Sequence, residues 1–160
     1  MIIIIETVIL CIAFFLICFW GTGTDNKNLK SYSSYPDEVQ NRIKSIAEYQ
    51  GKFKESNKVV TFISNLLLFL FVLFILGLFI KENGFTHNFL CLSIIGQGLN
   101  IFDLFIVDLL WWRNTKRVRL RKMPEKELYQ NPKKHIEAFI RAFIMYLLIA
   151  LIDGYILTLL

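Results

Sequence analysis

The stretch VVTFISNLLLFLFVLFILGLFI, Val59–Ile80, runs for 22 residues without one ionisable side chain. A helix rises about 1.5 Å per residue, so a run of about 20 apolar residues reaches across the hydrocarbon core of a bilayer. Lipid offers a backbone amide no hydrogen-bond partner, so a run of this kind is expected to be a helix. Three further stretches qualify: Ile2–Trp20, about Phe89 to Trp112, and about Ile136 to Leu160. The alternation of an outer-membrane strand is missing from all four. With 55% hydrophobic residues and fifteen phenylalanines, and a mean hydropathy of +0.50, the chain departs from soluble composition.

The expected fold is therefore all-α: one polytopic membrane domain over residues 1–160 with four transmembrane helices. Its loops are 21–58, 81–88 and 113–135. Gly21, Thr22 and Gly23 resemble a signal-peptide cleavage region, but the basic leader is missing and Glu6 stands in its place. The first helix is accordingly expected to be retained.

Charge orients the molecule. Loop 3 holds nine basic residues, Arg113, Lys116, Arg117, Arg119, Arg121, Lys122, Lys126, Lys133 and Lys134, against Glu125 and Glu127. Loop 1 holds seven, whereas the short second loop holds only Lys81. The positive-inside rule then puts loops 1 and 3 in the cytoplasm and both termini outside. Because Arg113–Lys122 abuts a span, it reads as a topology anchor attracted to anionic lipid headgroups and not as a nucleic-acid site. Trp111 and Trp112 fall where an aromatic belt is expected.

Loop 1 contains an amphipathic segment. Pro36 suits a first helical turn, Asp37 and Glu38 complement the dipole, and Val39, Ile43 and Ile46 recur at helical spacing until Gly51. This helix is expected to lie on the cytoplasmic membrane surface or against the bundle. Asn83-Gly84 marks a tight turn, and Asn131-Pro132 a helix start.

Ionisable groups inside spans are costly and so mark candidate sites. At about 100° per residue, Ser93, Gln97, Asn100 and Asp108 fall within an arc of roughly 80° on the third helix. One reading makes Gln97, Asn100 and Asp103 a ligand- or ion-binding group, Asp103 lying about 15 Å from Arg113 along the helix. The other makes the stripe interhelical glue. At the inner edge, Asp108 and Arg141 are expected to pair across helices, with Glu137 competing for Arg141. His135, Glu137 and Asp108 would be the acid and base residues of an enzyme acting on lipid phosphate. Glu6 and Asp153 lie in the outer half, near enough to the interface to stay hydrated. Cys11, Cys18 and Cys91 are dispersed in apolar runs, so no metal site or cofactor is expected.

The strings Tyr35-Pro36-Asp37-Glu38-Val39-Gln40, Asp108-Leu109-Leu110-Trp111-Trp112-Arg113, Lys116-Arg117 and Pro132-Lys133-Lys134-His135 resemble a family of uncharacterised bacterial integral membrane proteins with four helices. The likeness covers most of the chain; it implies the topology and a bacterial plasma membrane, and no chemistry. Function is expected to be the binding or passage of a small ligand or ion, or service as a subunit beside a second copy or a partner membrane protein. The rival expectation is the lipid enzyme.

Overall fold

A computed structural model describes residues 1–160. The chain is helical throughout, and four of its helices are long and apolar enough to cross a membrane. They are α1 (Ile2–Trp20), α4 (Lys58–Ile80), α5 (Phe85–Phe102, continued to Trp112) and α6 (Lys133–Thr158). Between them lie α2 (Asp25–Asn28) and α3 (Asp37–Ser45). The third and fourth spans begin a few residues earlier than the hydropathy suggested, at Phe85 and Lys133. At the start of the fourth span Asn131 Oδ1 accepts from the Lys133 amide at 3.0 Å, satisfying one free amide of the first turn.

Leu73, Leu92, Ile95, Leu99 and Ile149 form the bundle core, together with Tyr146. Helices α5 and α6 make the closest pair. Gly154 is what lets them meet at the end away from the basic loops, because a Cβ there would come within 3.1 Å of the Phe89 backbone nitrogen. The α4–α5 turn is tied by Asn88, which exchanges two 2.8 Å hydrogen bonds with the Glu82 backbone. Its amide also reaches the Thr158 hydroxyl at 3.4 Å.

Beyond Phe102 the third span changes winding. Residues Asp103–Trp112 form a π-helix, a conformation uncommon at such length. In an α-helix residues five apart diverge by about 140°; hydrogen bonding to the fifth residue instead draws Asp103 and Asp108 toward one line.

The largest departure from expectation is at the end of the bundle where both basic loops emerge. Loops 1 and 3 fold together into a cap with its own core of 11 buried residues, drawn from loop 1 (Leu29, Tyr32, Tyr35, Val39, Ile43, Tyr49) and from Trp112 to Tyr129. Val39 and Ile43 are completely buried, and what they meet is loop 3, not lipid. Helix α3 also stops at Ser45, where the serine hydroxyl takes the Arg42 carbonyl at 2.8 Å and Ile46 turns extended. Gly51, at φ +74°, closes the short 3-10 turn Ala47–Tyr49 that follows.

Tyrosines stitch the cap. Tyr35 donates to the Val118 carbonyl at 2.6 Å, and Tyr129 donates to Met123 (2.9 Å) while accepting from the Leu120 amide (3.1 Å). Asn28 joins the Arg117 carbonyl at 3.0 Å. Trp112, read as a belt residue, is buried between bundle and cap against Tyr35, Tyr129 and His135. Trp111 instead meets Phe15 of α1 edge-on at 5.3 Å.

Candidate functional site

Three groupings of polar side chains have enough geometry to be weighed. The first is the stripe on α5. Gln97 donates to the Phe143 carbonyl at 3.0 Å, Asn100 donates to the Phe139 carbonyl at 3.2 Å, and Asp108 holds His135 Nδ1 at 2.9 Å. The partners 143, 139 and 135 fall four apart on one face of α6, so the stripe is a polar seam running down the α5–α6 contact. Asp103 joins none of these bonds and has no ion pair. The donors of Gln97 and Asn100 are spent on α6 carbonyls, which is the work of interhelical glue, worth roughly 1 kcal/mol per bond.

The second grouping corrects the expected pair. Asp108 takes His135 rather than Arg141, which is exposed and without an ion-pair partner, and Glu137 does not reach Arg141 either. The reason lies in the winding: the π-helix turns Asp108 toward the start of α6, one and a half turns before Arg141. His135 is buried, its ring meets Trp112 at 4.7 Å between centroids, and its Nε2 is enclosed without a hydrogen-bond partner. An aspartate on Nδ1 orients an imidazole as a general base. Enclosure of the working nitrogen, with Glu137 outside the contact, leaves that base nothing to act on in this conformation.

Sequence reasoning did not single out His87. It stands between Glu82 (3.4 Å to Nδ1) and the Cys91 thiol (3.4 Å to Nε2). This has the order of a nucleophile, base and acid. The same Nε2 also meets the Ile80 carbonyl at 3.2 Å, however, and a nitrogen that donates there cannot take the thiol proton. Asp153 corrects another expectation: it is completely buried, and neither oxygen is hydrogen-bonded within the chain.

The third grouping is a cavity of about 570 Å³ in the cap, bordered by both basic loops, Gly23–Asn26 of loop 1 among them. Its cations are Lys52, Lys116, Arg117, Arg119 and Arg121; its acids are Asp25 and Glu48. Tyr49 stands beside it, donating to Asp25 Oδ2 at 2.7 Å and accepting from the Lys122 amide at 3.3 Å. Burial, reinforced by the Asp25 carboxylate, pushes the Tyr49 phenol up to about 12. Burial likewise raises Tyr35 and Tyr129. The phenols are therefore neutral donors at physiological pH.

These features define a helical protein with four candidate spans and a folded polar cap. No protein-family model, curated protein or solved structure matches the chain.

Proposed function

We propose that this is a multi-pass protein of a bacterial plasma membrane, with both termini outside and the cap in the cytoplasm, that works by binding. The bundle anchors the cap, and the cap receives an anionic ligand. The observation that carries this reading is the cavity between the two co-folded loops, five cations facing two acids. Intramembrane binding at Gln97, Asn100 and Asp103 is less supported, because two of the three already serve α6. Catalysis on lipid by His135, Glu137 and Asp108 is favoured only by the 2.9 Å Asp108–His135 contact, against an enclosed Nε2. The outward apolar faces of α1 and α4 suit lipid or a neighbouring subunit.

The test compares wild type, Asp103→Asn and the double variant Lys116→Gln/Arg121→Gln in neutral detergent. Thermal midpoints are followed while pyrophosphate or citrate is added. A ligand at a hundredfold excess over Kd stabilises by about 2.7 kcal/mol, a readable shift. Wild type and Asp103→Asn should both respond, and the double variant should not. A response lost in Asp103→Asn, or no response to either anion in wild type, would remove the cap as the binding site.

A further inference from the structure

We infer that the cap cavity is built for a phosphate group, presented either by the headgroup of an anionic phospholipid or by a small soluble phosphate compound. This rests on the cap-binding reading above and names its ligand chemistry. The cavity's size, about 570 Å³, lies in the range of small-molecule sites.

Both oxygens of Asp25 are occupied, by the Tyr49 hydroxyl at 2.7 Å and the Arg121 amide at 3.1 Å. Glu48 is engaged by Lys122 at 3.0 Å. None of the five lining cations belongs to any of the chain's ion pairs. The acids thus have their hydrogen-bond and ion-pair partners elsewhere, while none of the five cations is ion-paired.

Two of those cations are also fixed in place. Arg117 Nε donates to the Phe19 carbonyl at 3.0 Å and meets the Thr22 hydroxyl at 3.2 Å, and its guanidinium lies 4.0 Å from the Phe19 ring centroid. Gly23 makes room for it: at φ +109° it adopts a backbone few side chains tolerate, and a Cβ would stand 2.8 Å from Arg117 Cζ. Arg119 donates to the Asn114 carbonyl at 3.2 Å, while its Nε is buried without an acceptor. Carbonyl contacts orient a guanidinium without cancelling its charge. A topology anchor needs only the count of charges, whereas this cavity positions them.

Phosphate fits better than carboxylate for two reasons. Five cations and two acids leave an excess of three positive charges, which suits a dianion or larger. Several cationic side chains around one space call for several acceptor oxygens, and a terminal phosphate carries three. The depth also fits, since Arg117 is held by the last turn of α1, where the end of a span meets lipid phosphates.

The experiment uses the full chain in phosphatidylcholine nanodiscs. Pyrophosphate and citrate are titrated by calorimetry, and lipid retention is read by native mass spectrometry from nanodiscs doped with phosphatidic acid, whose headgroup is a terminal phosphate. Lys116→Gln/Arg121→Gln is compared with Lys126→Gln/Lys133→Gln, an equal charge change on exposed cap lysines outside the cavity. At about tenfold per charge-assisted contact, the cavity variant should lose roughly a hundredfold in affinity while the control stays within about threefold. Loss of phosphatidic acid retention with pyrophosphate silent assigns a headgroup; loss of pyrophosphate binding assigns a soluble phosphate. Citrate binding as tightly as pyrophosphate overturns the phosphate assignment and leaves anion binding standing. Equal losses in the two double variants show net charge without a site, and no binding of any probe removes both proposals.

Discussion

Tyr49 shows how one residue links the cap's stability to its cavity. Its hydroxyl bridges Asp25 of loop 1 and the Lys122 amide of loop 3, so it holds the loops together and engages one oxygen of an acid that borders the cavity. The phenol, ordinarily near 10, is pushed up to about 12 by burial first and the Asp25 bond second. The folded state therefore keeps a proton that the unfolded chain releases. This contribution is complete below about pH 10 and is lost as pH rises toward 12. Alkaline titration followed by tyrosinate absorbance and thermal midpoint should show loosening in that window, and Tyr49→Phe should remove that step. At neutral pH the same substitution should cost about 1 kcal/mol for the lost hydrogen bonds. A wild-type midpoint flat to pH 12, or a variant that titrates like wild type, would argue that another group controls the cap.

At the scale of elements, α3 and the π-helix mark where reading by period succeeds and stops. The spacing of Val39 and Ile43 was legible, and so was a helix on them. Their partner was not, because Val118 and Leu120 are interleaved with Arg117, Arg119 and Arg121. In that alternating run the charges conceal the buried residues. The polar seam was half legible: residues 97, 100 and 108 share an arc, but backbone carbonyls leave no mark in a sequence, and nothing in DLFIVDLLWW announces π winding. Hence the sequence groups Asp108 with His135 as a candidate acid and base but gives the ion pair to Arg141, whereas the structure gives it to His135. The cap core yields a direct test. Ile43→Asp puts a charge among completely buried residues and should cost more than about 3 kcal/mol. Lys44→Asp disturbs only a surface contact with Glu55, worth about 1 kcal/mol or less. Limited proteolysis should cut residues 21–58 much faster in the first variant than in the second; equal rates would mean the cap is not a packed unit.

For the whole molecule, the proposed orientation rests on where the charges gather. Alternating helices bring Trp20, Lys58, Trp112 and Lys133 to the capped end. Met1 lies beside Lys81 and Glu82 at the other end, where Thr158 also meets Asn88. Hydropathy sufficed to read this alternation, because each span is long enough that no other arrangement satisfies its backbone. The seven and nine basic residues of loops 1 and 3 now sit on one folded surface against a single lysine in the opposite turn. Under the proposed orientation, moving the cap across the bilayer would require translocating all of them together with a packed core. Orientation should therefore resist single charge changes. A cysteine at Asn83, in a background with Cys11, Cys18 and Cys91 replaced by alanine, should react with an impermeant thiol reagent in intact cells. A cysteine at exposed Lys116 or Lys54 should react only after the membrane is opened. Adding two lysines beside Asn83 should leave that pattern unchanged, since the cap still outweighs them. Labelling at Lys116 in intact cells would reverse the orientation, and with it the claim that the phosphate-binding cavity faces the cytoplasm.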